Sequence, residues 1–81
     1  MEVLYFAWVR ERIGIPKETI VTQAKTVFEL IEELKVRSGH YETAFSDTSA
    51  LRVAVDQQLT DFDASIEEAK EIAFFPPMTG G

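Results

Sequence analysis

The last two residues of the chain, Gly80 and Gly81, are the residues best suited to a covalent reaction. A glycine terminus leaves nothing to crowd the carbonyl. Glycine also takes backbone angles that other residues avoid, so such a terminus can enter a narrow channel. A carboxylate is a poor electrophile because its negative charge resists attack, so another enzyme must first activate it, for example as an acyl-adenylate formed with ATP. Sulfur delivery then gives a thiocarboxylate, whereas attack by a lysine amine gives an isopeptide conjugate.

The residues before the two glycines favour a flexible C-terminal tail over residues 77–81. Pro76 and Pro77 cannot donate ladder hydrogen bonds, so they end any strand that precedes them. From Pro77 to Gly81 the extended chain spans about 17 Å, at ~3.3–3.6 Å per residue. This reach is enough to carry the terminus into a pocket of another protein. The alternative is a frayed end without function, which is common at chain termini.

The rest of the chain offers no convincing catalytic set. His40 is the only histidine, and a polar residue after a helix is a more common role for it than a metal ligand. The acidic pairs are Asp61 with Asp63 and Glu67 with Glu68, in polar stretches where carboxylates are usually solvated. The absence of cysteine excludes disulfides, thiolate metal sites and cysteine nucleophiles. We therefore expect no metal site and no bound cofactor in the domain itself.

Length and composition predict one small domain, residues 1–81. Apolar residues make up 46% of the chain, enough for a packed core. The 14 acidic side chains outnumber the 8 basic ones, for a net charge of −6. We therefore expect a basic protein surface as a partner and no nucleic acid. Glu2 stands where a signal peptide would be basic, and no apolar run reaches the ~20 residues of a membrane span. These features predict a cytoplasmic protein that does not enter membranes.

Residues 2–9 predict a β-strand, because they are rich in β-branched and aromatic side chains. With side chains alternating between faces, one face would carry Val3, Tyr5, Ala7 and Val9, and the other Leu4, Phe6 and Trp8. Such a strand is either buried on both faces, or buried on one face and covered by a partner on the other. Residues 10–14 predict a turn or a short helix, and residues 17–23 predict the second strand of a hairpin.

Residues 26–38 predict the one clear helix. Thr26 and Glu29 form a Thr-x-x-Glu capping box, and Gly39 suits the position just after a helix. An apolar stripe at i, i+3, i+4 and i+7 consists of Val27, Leu30, Ile31 and Leu34. A stripe on one side only predicts a single helix that covers a sheet.

The C-terminal half predicts three further strands. They are residues 51–55, 58–62 and 71–75, with a turn at residues 56–57 and a polar connection at residues 63–70 anchored by Ile66. Residues 40–49 predict irregular structure with one helical turn. The order β-β-α-β-β-β favours an α+β fold of the β-grasp type, a mixed sheet of four to five strands on one main helix. A ferredoxin-like layout is the alternative, but it requires a second helix.

Two segments resemble a known family. The ending Phe-Phe-Pro-Pro-Met-Thr-Gly-Gly and the start Val-Leu-Tyr-Phe-Ala-Trp-Val-Arg-Glu, residues 3–11, are similar to those of molybdopterin synthase small subunits, which are ubiquitin-like β-grasp sulfur carriers. Gly-Gly alone also marks thiamin sulfur carriers and ubiquitin-like modifiers, whereas Phe-Pro-Pro before it is typical of the molybdopterin branch. Met78 and the pair Glu68-Ala69 depart from the family pattern, and neither touches the terminal chemistry.

The resemblance implies a mechanism centred on Gly81. An adenylating enzyme uses ATP to activate the Gly81 carboxylate, and a sulfurtransferase converts it to a thiocarboxylate. Tail residues Thr79 and Gly80 carry that group into the large subunit of the synthase. There the sulfur passes to cyclic pyranopterin monophosphate, in molybdenum cofactor biosynthesis. The two kinds of subunit form a heterotetramer, and the catalytic side chains are expected on the large subunit.

The resemblance also implies a partner interface. The apolar residues of the family that face the partner correspond to Phe6, Leu59 and Phe75. The first and last strands of a β-grasp sheet are neighbours, which would bring Phe6 and Phe75 together. The alternative functions are a ubiquitin-like protein modifier, a sulfur carrier for thiamin or tRNA thiolation, and a binding module with an inert tail.

Overall fold

The computed structural model describes residues 1–77, so the predictions for Thr79, Gly80 and Gly81 lie outside the described residues. The strands are β1 (Glu2–Tyr5), β2 (Lys17–Thr19), β3 (Arg52–Val55), β4 (Gln58–Thr60) and β5 (Glu71–Phe75). The helices are α1 (Ala7–Ile13), α2 (Val27–Lys35) and α3 (Gly39–Phe45), and a short 3-10 helix spans Thr48–Ala50. No helix within residues 1–77 is long and apolar enough to cross a membrane.

The strands form one mixed sheet in the order β2-β1-β5-β3-β4. β1 and β5 are parallel neighbours, and the other strand pairs are antiparallel. The first and last strands therefore lie side by side, with Tyr5 opposite Phe74. The predicted β-grasp fold is confirmed, and the shorter helices α1 and α3 accompany the main helix α2.

One face of the sheet carries the hydrophobic core. Phe74 is fully buried, and its ring meets that of Phe45 on α3 edge-on, with 5.0 Å between the ring centroids. The ring of Tyr5 lies 6.3 Å from that of Phe74 and nearly parallel to it. Aromatic pairs add about 0.5–1.5 kcal/mol beyond the area they bury. The other core side chains come from strands and helices alike and include Val3, Val53, Ile72, Val9, Ile13, Leu30, Ile31 and Leu34.

The main helix begins where the capping pattern predicts. The amide of Glu29 donates to the Thr26 hydroxyl at 3.2 Å, and the Glu29 carboxylate accepts from the amide of Lys25 at 3.2 Å. In the usual capping box the Glu side chain accepts from the amide of the cap residue itself, so here the return bond is displaced by one residue. The two bonds still satisfy backbone donors at the start of α2.

The same helix ends earlier than predicted. α2 stops at Lys35, and Gly39 is the first residue of α3, so the prediction that Gly39 follows the main helix is wrong. The buried stripe of α2 ends at Leu34. Extending the helix would bury nothing more, whereas turning the chain there lets α3 place Phe45 in the core. The end of α2 is therefore set by core packing, and not by the position of Gly39.

The predicted strand over residues 2–9 is too long. β1 ends at Tyr5, and Ala7 takes a left-handed φ of 52° at the start of α1. Within α1 the side chains of Val9 and Ile13 stand one turn apart and are both buried. Their i, i+4 spacing is the sequence signal of this helix. The later residues of the segment therefore belong to a helix, and not to the two sheet faces predicted for them.

The C-terminal predictions agree more closely with the structure. β5 spans the predicted residues 71–75, and Ile66 is buried in the connection before it. The turn residues Asp56-Gln57 have φ of 48° and 70°, as a two-residue type I′ hairpin requires. The Asp56 carboxylate accepts from the amides of Lys70 and Glu71 at 2.9 and 3.0 Å. These bonds hold the β3-β4 hairpin against the start of β5.

Candidate functional site

The face of the sheet opposite the core carries a row of apolar side chains. Leu4 pairs with Ala73, and Ala73 pairs in turn with Ala54. Ala54 pairs with Leu59 on β4, which extends the row across a fourth strand. Residues directly opposite one another in a sheet point to the same face. The helices pack against the other face, and Leu59 is 70% exposed.

Phe6 and Phe75 extend this surface at the end of the sheet where the chain leaves β5. The amide of Phe6 donates to the carbonyl of Phe74 at 3.1 Å, which continues the parallel register by one residue and sets Phe6 opposite Phe75. Phe6 is 46% exposed, and Phe75 is half-buried. We call the whole surface the outer apolar face, and it consists of Leu4, Phe6, Ala54, Leu59, Ala73 and Phe75.

The three residues predicted for a partner interface thus lie on one face of the sheet. Sequence reasoning missed Ala54 and Ala73, which lie between Leu59 and Leu4. Their small side chains make the middle of the face flat. Alternation within a single strand does not show which set of residues faces outward. The register between strands is the signal that identifies them.

The C-terminal tail leaves the domain at the edge of the outer apolar face. β5 ends at Phe75, and Pro76 and Pro77 follow as half-buried residues. β5 is the middle strand of the sheet. A protein that covers the outer apolar face therefore also stands beside the point where the tail begins.

Charged side chains are unevenly distributed around this face. Arg52 on β3 lies opposite Phe75, near the start of the tail. Lys17 on β2 lies opposite Leu4, the residue of β1 that begins the apolar row. Both cations are exposed. Glu2 and Glu71 pair at the other end of β1 and β5. The net charge of the chain is −6, yet both charged side chains that the register places at the tail end of this face, Arg52 and Lys17, are cations.

A polar cluster ties β2 to α3 at the edge of the core. The hydroxyls of Tyr5 and Tyr41 both donate to Oε2 of Glu18, at 2.7 and 2.6 Å. Burial is the main cause that raises the pKa of both tyrosines, and the hydrogen bond and negative charge of Glu18 raise it further. The pKa of Tyr41 rises to about 12. The chain has no other tyrosine, so tyrosine titration reports on this cluster alone.

We expect the stability of the domain to fall as the pH rises from about 10 to about 12. An unperturbed tyrosine has a pKa of about 10, so the unfolded chain loses its tyrosine protons first. The stabilisation that the two protonated tyrosines give the folded domain is therefore complete below pH about 10. It is lost as the pH rises through the folded pKa of Tyr41, about 12. The measurement is the midpoint of denaturant unfolding as a function of pH.

Tyr41→Phe is the matched control for this pH dependence, since it removes the ionisable hydroxyl and keeps the ring. The stability of this variant is expected to fall less steeply over the same pH range. Equal slopes in the two proteins would show that groups outside the cluster control unfolding in alkali.

The remaining polar candidates lie outside the outer apolar face. The side chains of His40, Asp61, Asp63, Glu67 and Glu68 are all exposed. Within residues 1–77, no three His, Asp or Glu side chains are close enough together to hold a metal ion.

Comparison with known proteins adds a family and a fold. The model of the ThiS family matches residues 3–81. The chain is 37% identical to the molybdopterin synthase sulfur carrier subunit of Escherichia coli (strain K12), over 100% of this chain and 99% of that protein. It is 33% identical, with the same coverage, to the subunit of that name from Haemophilus influenzae. The crystal structure of SAMP1 from Haloferax volcanii shares the fold, with a TM-score of 0.75 and 22% identity over 100% of this chain and 98% of that chain.

Proposed function

Because this chain belongs to the ThiS family, we propose that it is the sulfur carrier subunit of a molybdopterin synthase. The observation that carries the proposal is similarity along the whole chain to bacterial subunits of that name. The outer apolar face supports it, because an uncovered apolar surface of this kind is typical of a site for a protein partner. The tail begins at the edge of that same surface.

The proposed chemistry takes place at the carboxylate of Gly81. An activating enzyme joins this carboxylate to the α-phosphate of ATP, with release of pyrophosphate. A sulfur nucleophile supplied by a sulfurtransferase then displaces AMP, so that a C–O bond breaks and a C–S bond forms. In the synthase this sulfur forms a new C–S bond to cyclic pyranopterin monophosphate, and water then cleaves the acyl C–S bond, which returns Gly81 to a carboxylate. The chain is a sulfur donor rather than the catalyst, and its need for ATP favours a cytoplasmic location.

The outer apolar face is the proposed docking surface for the large subunit, in a heterotetramer of the two kinds of subunit. Covering Leu59 and Phe6 would remove the two most exposed apolar side chains of this face from water. Arg52, beside Phe75, would then meet an acidic group of the partner. This arrangement holds the start of the tail at the partner's surface, which lets the terminus reach the partner's active site.

Truncation of Phe6 is expected to weaken binding to the large subunit without unfolding the domain. A well-packed interface aromatic costs about 2 kcal/mol or more when truncated, and each ~1.4 kcal/mol is tenfold in affinity. Phe6→Ala should therefore raise the Kd by roughly thirtyfold. The measurements are the partner affinity by calorimetry and the melting temperature of the variant alone.

Val36→Ala is the matched control for the Phe6 variant. Val36 is 84% exposed and lies after α2, on the other side of the domain from the outer apolar face. The Val36→Ala variant should therefore bind the large subunit with the affinity of the parent. If Phe6→Ala unfolds, or binds as tightly as the parent, the outer apolar face is not the docking surface.

The function itself is tested by the intact mass of the chain after expression with an activating enzyme, ATP and a sulfur donor. A gain that matches replacement of one oxygen by sulfur on the last residue supports the sulfur carrier. Conjugates to lysines of other proteins would indicate a ubiquitin-like modifier. An unchanged mass would indicate an inert tail and would overturn the proposal.

A further inference from the structure

A groove lies on the helix side of the domain, away from the outer apolar face. Its floor is formed by the buried side chains of Ile31 on α2 and Phe45 on α3, and its walls include Phe28 and Phe62. The amide of Phe28 donates to the carbonyl of Phe62 at 2.7 Å, so the backbone ties the two walls together. The polar residues on the rim are Glu32, Lys35, Ser46 and Thr48.

The size of the groove matches one large apolar side chain. Its volume is about 140 Å³, and an apolar cavity of about 150 Å³ holds a benzene molecule. The wall residue Phe28 is 57% exposed. An exposed aromatic ring beside a buried apolar floor gains by being covered, because apolar surface leaves water. The groove therefore has the shape and chemistry of a receptor for a single anchor residue.

The surroundings of the groove are acidic. Four exposed carboxylates are next to lining residues in the sequence, namely Glu29, Asp47, Asp61 and Asp63. Hydrogen bonds from Ser49 lower the pKa of Asp47 and keep its carboxylate ionised. On the rim, Nζ of Lys35 already lies 3.4 Å from Oε2 of Glu32. This ion pair offsets the charge of Lys35, so the remaining charge around the groove is that of the four carboxylates. A segment that complements it must carry positive charge.

From this geometry we propose that the groove binds one aromatic or branched aliphatic side chain of a protein segment rich in lysine and arginine. The apolar side chain fills the space between Phe28 and Phe62, and the flanking cations meet the carboxylates around the rim. An apolar centre with a charged rim is the usual anatomy of a protein interface. The occupant is thus a basic protein segment rather than a small metabolite.

The groove and the outer apolar face are on opposite sides of the domain, because α2 and α3 pack on the core face of the sheet. A segment in the groove leaves Leu59 and Phe75 open to a second protein. The proposed groove therefore permits two partners at once, one on each side. Binding at the groove does not depend on the chemistry of the terminal glycines. The proposal for the groove would therefore hold even if the tail carried no sulfur.

The test is a titration of the full ¹⁵N-labelled chain with the peptide Gly-Ser-Lys-Lys-Phe-Lys-Lys-Ser-Gly, followed by amide chemical shifts. We expect saturable shifts around Phe28, Lys35 and Thr48, and none around Leu4 or Phe75. Two control peptides separate the contributions, one with glycine in place of phenylalanine and one with glutamate in place of lysine. Both should bind far more weakly, and added salt should weaken the parent peptide because it screens the rim charges.

Substitutions in the chain test the same groove from the other side. Phe28→Ala should weaken the peptide by roughly tenfold or more, which is about 1.4 kcal/mol, with an unchanged melting temperature because Phe28 is exposed. Asp61→Asn with Asp63→Asn should weaken the lysine peptide and reduce its salt dependence. Val21→Ser, at a residue that is 91% exposed and away from the groove, should change neither affinity nor stability.

Four results of the peptide titrations would overturn the proposal. They are no saturation up to about 1 mM peptide, shifts confined to the outer apolar face, equal binding of the glutamate peptide, and full affinity in Phe28→Ala. Shifts at the groove that depend on the concentration of the chain alone would identify a second copy as the occupant, and would also rule out the basic segment.

Discussion

Deletion of Gly81 is expected to reduce sulfur transfer to background while the domain keeps its melting temperature. The proposed reaction requires a carboxylate on an uncrowded glycine at a fixed reach from β5, which ends at Phe75. Deletion shortens that reach by about 3.3–3.6 Å and moves the carboxylate back along the tail. A misplacement of about 1 Å already costs on the order of a hundredfold in rate where reacting groups must be aligned. The measurements are circular dichroism, thermal melting and single-turnover sulfur transfer.

Appending one residue after Gly81 should have the same effect, since the reactive group is then displaced in the opposite direction. Gly39→Ala is the matched control, because a Cβ at that glycine meets no atom within 4 Å. It changes a glycine without touching the tail, so its transfer rate should equal that of the parent. Retained transfer in the truncated chain would remove the tail from the mechanism.

Phe74→Ala is expected to unfold the domain or lower its melting temperature by at least about 12 °C, whereas Phe75→Ala should lower the melting temperature much less because Phe75 is only half-buried. A buried Phe→Ala change costs about 3–5 kcal/mol, and about 1 kcal/mol shifts the melting temperature of a domain this size by about 4–8 °C. The total stability expected for 81 residues, at about 0.05–0.15 kcal/mol per residue, is only roughly 4–12 kcal/mol. Losing Phe74 therefore removes a large part of it.

Phe75→Ala is the matched control for Phe74→Ala, because the two residues are the same amino acid at adjacent positions of β5. Phe74 is fully buried against Phe45 and Tyr5, and Phe75 belongs to the outer apolar face. Phe75→Ala should instead weaken binding to the large subunit, for the same reason as Phe6→Ala. The measurement is thermal melting of both variants together with partner affinity of the folded one. Similar melting temperatures for the two variants would contradict the assignment of faces along β5.

Local patterns predicted much of the fold. The strand over residues 71–75, the turn at Asp56-Gln57, the cap at Thr26 and the buried Ile66 are all present. These features depend on neighbouring residues, such as prolines that end a strand or a side chain that caps a helix. The prediction failed where two local signals compete. The composition of residues 2–9 suits a strand, yet β1 ends at Tyr5. Val9 lies in α1 instead and packs into the core from that helix.

The sequence by itself favoured the β-grasp class over a ferredoxin-like layout, because the order of strands and one amphipathic helix leaves few ways to bury every apolar stripe. It also singled out Gly80 and Gly81 as the proposed site of chemistry, because a terminal glycine leaves its carbonyl uncrowded. Only the tertiary structure decided which side of the sheet is open. Periodicity is a property of one strand, whereas the row from Leu4 to Leu59 arises from register between strands distant in sequence. The groove beside Phe28 has the same origin, since its floor and walls come from α2, α3 and the segment after β4.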